Sequence, residues 1–546
     1  MFAFLDTPFD RDHPVYTRAN AGEILPDPLT PLAWSVIGPG FEEGFRISFC
    51  DDFSILPRPG PDTPYQLVGR MATRFHLNLT AMRIAGDRLP GTSADVVDLQ
   101  YFGDAAASGL PAHESHADDR RFRLKAPPSM GRTLAGIGRR VERDRAGIDA
   151  LGDEIDALGD DADATDLVRL IRRVAATFGS ALGTHVTARA LTSPILEQAT
   201  NALARAGIDE TDALRYVSAI PDLESAKPSR ALADIGRTIP RGSDLAALVA
   251  TGSFDEIAAS SIDGAAALHD ALTQFLAEFG HRGVGEFDPT TTAWEQAPDD
   301  VVRLLARLHD APPPELAVPD VDPGRVARPL VAAARSAMAR AERTKDNCMR
   351  STNLLRRLLA RVRTALGDEV DDVDFPLCTL DELEAWAHGA GLVDANERRR
   401  RRDEFDAAAS LEVAEWSDGA LRLAEEETVT TGGADDFGVG GTIEGIAGSP
   451  GVSEGRARVI GDPYSDFDEG DVIVATMTDT AWTPLFLAAA AIVTDVGGVL
   501  SHATIVAREL GIPAVVNTKS ATRTIRDGDR VRVDGSTGVV TVLDRV

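Results

Sequence analysis

The spacing of apolar residues changes twice along the chain. From the start to about Lys125, short apolar runs alternate with Pro and Gly, as in PRPGPDTP at 57–64, and the segment reads as loops, short strands and a few helices. From about Ser129 to Glu427 apolar residues recur every three or four positions, as in DLVRLIRRVAATFGSAL and LLRRLLARVRTAL, which predicts a mainly α region. The Pro-rich run 311–324 interrupts it as a loop, because proline has no backbone donor. TGGADDFGVGG at 431–441 has no apolar period and many glycines, so it reads as a flexible linker. Beyond it EGRARVI, DVIVATM and AIVTDVGG predict strands, and IRDGDRVRVDGSTGVVTVL predicts strands joined by Asp-Gly turns. The expected fold class is multidomain α+β. Residues 1–430 form a large, predominantly helical domain (1–125 mixed, 126–430 mainly α), 431–441 a linker and 442–546 a small α/β domain.

The densest chemistry lies in AIVTDVGGVLSHATIVARELGIPAVV at 491–516, which reads strand, glycine turn, helix, stop, strand. Ser501 suits the N-cap, Gly511 the left-handed cap at the other end, and Pro513 forbids continuation. His502 then stands in the first helical turn, where an anion on its imidazole would meet unpaired N–H groups and the positive end of the helix dipole. Gly497 and Gly498 leave room for a phosphate to come close, and Arg508 on the same helix completes a phosphate-positioning set. Taken alone, a histidine in this position is more often a cap or a satisfied structural group.

The segments GIAGSPGVSEGRARVI, TDTAWTPLFLAAAAIVTDVGGVLSHATIVARELGIPAVV and IRDGDRVRVDG together resemble the swivelling phosphohistidine domain of the PEP-utilising enzymes. The resemblance continues upstream in the manner of rifampin phosphotransferase: YTRANAGEILPDPLTPLAWS at 16–35, LNLTAM, LPGTS, FGHRGVGEFDP at 279–289 and DDVDFPLCTLDEL at 371–383. It implies that 1–430 is the substrate or acceptor domain and that His502 carries a phosphoryl group between domains. No barrel of repeated strand–helix units is in view, which disfavours pyruvate as the acceptor. The family's Arg-Glu-x-x-Lys stretch stands here as Ala341-Glu342-Arg343-Thr344-Lys345. Glu342 and Lys345 match and the leading arginine does not; Arg340 stands one residue from that place, about 100° around the helix, and Arg343 two, so neither is a simple replacement, and Arg343 is kept as a candidate for positioning the phosphate. Lys345 is the expected catalytic cation. His281, among glycines with Arg282 and Glu286 near, is a candidate to deprotonate an acceptor hydroxyl, or else a loop histidine bonded to backbone.

Composition narrows the partners. A net charge of −30 argues against a nucleic-acid face. Lys125, Lys227, Lys345 and Lys519 are the only lysines, and none follows a glycine, so no GxxxxGK[ST] phosphate loop exists in these residues. The resemblance therefore implies that ATP with Mg2+ is held by a separate ATP-grasp subunit, with no cofactor on this chain and a hydroxyl of a small molecule as acceptor. Cys50, Cys348 and Cys378 lack CxxC spacing, which fits a reducing cytoplasm, and no apolar stretch reaches membrane-spanning length. His113 and His116 in HESHADD have a metal-compatible spacing in an acidic connector, and no metal site is expected. Arg398 to Arg402 reads as a solvated helix face. The function expected is a dikinase-type phosphotransferase component, incomplete without its partner. The alternatives are a degenerate, non-catalytic binding protein and a protein-to-protein phosphocarrier.

Overall fold

The computed structural model describes residues 6–19, 21–60, 66–102, 109–159, 162–218, 220, 223–308, 322–424, 438–498 and 501–546. Most of the Pro-rich run at 311–324 and residues 431–437 of the expected linker lie outside them. Contacts group the chain into two compact units: Met1–Pro194 with Gly285–Thr291 and Arg343–Glu426, and Ile195–Val284 with Thr292–Glu342 and Glu427–Val546. This grouping differs from a boundary near 430. Composition marks where helices give way to strands, whereas packing puts helical segments 195–284 and 292–342 with the C-terminal sheet.

The first unit carries a small antiparallel sheet in the order β2-β3-β1-β4, built from β1 (Val15–Thr17), β2 (Val68–Met71), β3 (Arg74–Asn78) and β4 (Trp416–Asp418). Around it run α1 (Pro31–Arg46), α2 (Arg120–Asp156) and the first part of α3 (Ala164–Arg205). Helix α1 begins where Thr30 accepts from Ala33 N and Pro31 takes the first position, a start that needs no donor from proline. It then approaches α3 closely because its contact residues lack side chains. A Cβ at Gly40 would lie 2.7 Å from Phe178, and one at Gly183 on α3 would lie 2.9 Å from Ile47. Phe41 fills the space so made, with ring centroids 4.7 Å from Phe75, 5.5 Å from Phe178 and 5.8 Å from Phe287.

In the second unit α4 (Ala265–Phe279) and α5 (Pro298–Leu308) bury Leu268, Leu272, Phe275, Trp294 and Leu305 in one core. The long helix α6 (Gly324–Leu366) contributes its first half here and its second half to the first unit, where α7 (Ala395–Ala409) also belongs. The C-terminal sheet runs β5-β12-β11-β7-β8-β9-β10-β6, from β5 (Thr442–Glu444), β6 (Ile446–Ser449), β7 (Val452–Val459), β8 (Val472–Ala475), β9 (Ala491–Thr494), β10 (Ala514–Val516), β11 (Arg530–Asp534) and β12 (Val539–Asp544). Strands β7, β8, β9 and β10 are parallel neighbours. The period of two sorts their side chains: Val472, Val474 and Val493 enter one core, Ile473, Ala475 and Ile492 the other. Gly440 N donates to Val542 O at 2.8 Å, so the last residues of the expected linker already join this sheet.

Within this unit the sheet is fastened to the helices. Asp462 accepts from Tyr464 N at 2.8 Å, and the turn it makes presents three carbonyls, of Pro463, Tyr464 and Ser465, to the guanidinium of Arg307 in the last turn of α5. Trp294 Nε1 donates to the Tyr464 hydroxyl at 3.1 Å, and Ala481 is buried in the helical core.

Candidate active site

Strand β9 ends at Thr494, and the chain returns through Gly497 at φ +153, where a Cβ would sit 3.1 Å from Val516 and 3.4 Å from Ser501 Oγ. The helix α8 (His502–Leu510) follows. Its N-cap is Ser501 (φ −65, ψ 161), whose Oγ accepts from Thr504 N at 3.3 Å. Thr504 Oγ1 donates to Gly498 O at 2.9 Å, and Ser501 N donates to the same carbonyl at 3.0 Å. Gly498 is thus held by both Ser501 and Thr504. His502 is described by its backbone: it is the first residue of the helix, where N–H groups lack partners inside the helix. The helix ends at Gly511 with φ +69, as the sequence predicts.

Helix α8 is placed by both its faces. Ala503, Val506 and Ala507 are buried with Ile473, Ile492 and Val516 of the sheet. Ile505 packs instead with Ile220, Leu223 and Ala226, and with Met338 and Ala339 of α6. The helix that begins with His502 therefore meets α6 one turn before Glu342. Arg508 is buried and its Nε donates to Gly448 O at 2.7 Å, tying α8 to β6; burial lowers its pKa to about 10.

On α6, Ala341 is 1% exposed, so the position of the family arginine is packed as core. Arg343 is exposed, 3.9 Å from Glu142. Thr344 is buried, and its Oγ1 lies 3.0 Å from His185 Nδ1. Lys345 Nζ stands 3.6 Å from the buried carboxylate of Glu286. Of the residues that the sequence singles out, the structure brings Lys345 to Glu286 and turns Arg343 toward Glu142.

His281 and Arg282 are buried in the second unit, where Trp294 N donates to Arg282 O at 2.8 Å. In the first unit the continuation 285–291 is held by Arg356, a residue that the sequence reading passed over. Its Nη2 reaches the carbonyls of Gly285 (3.2 Å), Glu286 (3.0 Å) and Asp288 (3.0 Å), and Thr291 Oγ1 (2.9 Å). The clue was a charge in line with apolar residues, since Met349 and Leu359 share a buried helix face with Arg356. Burial raises the pKa of Asp288 next to it.

His113 Nε2 lies 3.0 Å from Asp87, which also accepts from His116 N at 2.7 Å, so HESHADD is folded around a buried carboxylate. In the arginine run, Arg401 departs from a solvated face: it is buried and pairs with Glu382 at 2.7 Å. Burial pushes the thiols of Cys50 and Cys378 up to about 12 and about 11, which leaves them poor nucleophiles.

Residues 467–538, which contain the whole of this loop and α8, match the family described as "PEP-utilising enzyme, mobile domain". Residues 183–369, which hold His281 and the Glu342–Lys345 stretch, match "Rifampicin phosphotransferase fourth domain". Over these two segments the chain is similar to the PEP-utilising enzymes and to rifampicin phosphotransferase. Among curated relatives, an uncharacterised protein of Mycobacterium tuberculosis is 30% identical over 566 aligned positions, covering 99% of this chain and 62% of that protein. A rifampicin phosphotransferase of Streptomyces sp is 32% identical over 348 positions, 57% of this chain and 39% of that protein. A probable phosphoenolpyruvate synthase of Staphylothermus marinus is 55% identical over 102 positions, 18% of this chain and 12% of that protein. The chain thus spans about three fifths of the length of its mycobacterial relative. Among the described residues no helix is long and apolar enough to cross a membrane.

Proposed function

We propose that this chain is a cytoplasmic phosphotransferase component in which His502 carries a phosphoryl group from a nucleotide to a hydroxyl of a small molecule. The observation that carries the reading is the place of His502 as first residue of α8, behind a glycine loop and a serine cap, in a segment of the mobile-domain family. An imidazole nitrogen attacks phosphorus of the bound nucleotide, forming an N–P bond as the P–O bond to the leaving group breaks. The acceptor oxygen then attacks the same phosphorus, the N–P bond breaks, and the hydroxyl proton passes to a base. Splitting one transfer into two is the gain of nucleophilic catalysis.

The N-terminus of α8 stabilises the anionic intermediate through Ser501, Gly497 and Gly498, and Arg508 holds the helix on its sheet. Lys345 steadies the phosphoryl group during discharge, held by Glu286, while Glu342, three residues earlier in the chain, assists and His281 takes the proton. The nucleotide, ATP with Mg2+, is held by an ATP-grasp module on a separate polypeptide. The packing of Ala341 as core favours a second reading, a non-catalytic binding protein, because an arginine cannot stand there as it does in the family.

Chain, ATP-grasp protein, Mg2+ and radiolabelled ATP, followed by a panel of hydroxylated acceptors that includes rifamycins, test this. Lys345→Met should load His502 normally and discharge it more slowly, on the order of a hundredfold. Equal discharge in wild type and variant removes Lys345 from the mechanism, and a chain that never loads supports the second reading.

A further inference from the structure

In the small sheet Tyr16 pairs with Asn78 and Thr17 with Leu77. The next residue, Arg18, therefore falls opposite His76, and Arg74, two places before His76, shares its face. His76 is 0% exposed, and Arg18 and Arg74 are half-buried. Part of each side chain is satisfied. Arg18 Nη2 donates to Pro26 O (3.3 Å), Arg74 Nη2 to Ala409 O (2.8 Å), and His76 Nδ1 to Arg74 O (2.8 Å). Arg18 Nε, Arg74 Nη1 and His76 Nε2 are buried and, among the described residues, without hydrogen-bond partners. The opposing charge that reaches both guanidiniums is that of exposed Asp27, and among the described residues no carboxylate stands within ion-pair distance of either.

We propose that Arg18, Arg74 and His76 form a binding site for a tetrahedral oxyanion, a phosphate or a phosphomonoester, on the mixed N-terminal part of the first unit. Buried cations are ordinarily paired, and a buried N–H without an acceptor is rare in native structures. An oxyanion gives acceptors to two guanidinium N–H groups at once and cancels the repulsion between them. His76 adapts to it. Its Nδ1 faces a carbonyl, which only accepts, so Nδ1 carries the hydrogen and the neutral ring offers Nε2 as acceptor for a P–OH group. Burial, then the charge of Arg18, holds that imidazole down to about 3, and an anion beside it favours the protonated ring, which donates instead. The site is independent of His502 and of the carrier reading, and it gives the N-terminal part of the chain an anionic ligand of its own.

Isothermal titration calorimetry of the full chain with inorganic phosphate and with glycerol 3-phosphate tests it, on wild type, Arg18→Gln and His76→Gln, with circular dichroism as the check on folding. The expected result is one site per chain, weakened about tenfold in Arg18→Gln, the loss of one charge-assisted hydrogen bond. Tighter binding of the ester than of phosphate makes a phosphorylated small molecule the occupant, and the reverse makes it free phosphate. Equal affinity in wild type and variants, or no heat with either anion, overturns the site. If Arg18→Gln does not fold, histidine 15N NMR of the wild type decides: the His76 resonance moves on adding phosphate, and a resonance that stays still refutes the proposal.

Discussion

Residues whose role is set by their chain neighbours were readable in advance. Ser501 caps α8, His502 opens it and Gly511 ends it, all from local rules. Ser501→Ala removes the acceptor of Thr504 N and should destabilise the C-terminal part by about 1 kcal/mol, measured by urea unfolding, with Ser501→Asp close to wild type. His185 and the Arg18–Arg74–His76 cluster were not readable, because each depends on partners brought from far along the chain, and for Arg356 only its place on an otherwise buried helix face was a sign. For His76 the consequence is a pH dependence. Its folded pKa of about 3 lies below the ordinary histidine value of 6.5, so the unfolded chain binds the proton and the folded one does not. Stability from this residue is present above about pH 6.5 and is lost as pH falls, by about 1.4 kcal/mol per unit. Unfolding midpoints at pH 7.5 and 5 should differ less in His76→Gln than in wild type; parallel losses would show that His76 is not the group responsible.

Element by element, strands β7 to β12 and α8 were legible from period and turn chemistry: β11 and β12 alternate buried and more exposed positions, whereas β8, β9 and β10 are apolar runs buried on both faces. The crossing of α1 on α3 was not, because a glycine that admits a neighbour reads like any other glycine. Its energetics separate the two kinds. Gly40→Ala drives a methyl to 2.7 Å from Phe178 and should cost about 1–3 kcal/mol. Gly136→Ala on α2 meets nothing within 4 Å and should stabilise by about 0.5–1 kcal/mol. Thermal melts of both variants with the same sign would contradict this account of the helix crossing.

For the whole molecule, the sequence suggested domains by composition, whereas contact groups the C-terminal sheet with residues 195–284 and 292–342. Part of that grouping rests on one side chain. Arg307→Ala removes donors from three carbonyls and should weaken the packing of sheet on helices by about 2 kcal/mol, seen as faster hydrogen exchange at residues 463–465. Unchanged exchange there would mean that the apolar contacts of Ala481 and Ile505 suffice. A carrier must leave such a surface to reach its donor, so the carrier reading further expects Arg307→Ala to load faster than wild type. The central claim is that His502 bears the phosphoryl group. Intact-mass analysis after incubation with ATP, Mg2+ and an ATP-grasp partner tests it most directly. One acid-labile phosphoryl group on the wild type and none on His502→Ala is the predicted result; equal labelling of both proteins, or none on either, would contradict it.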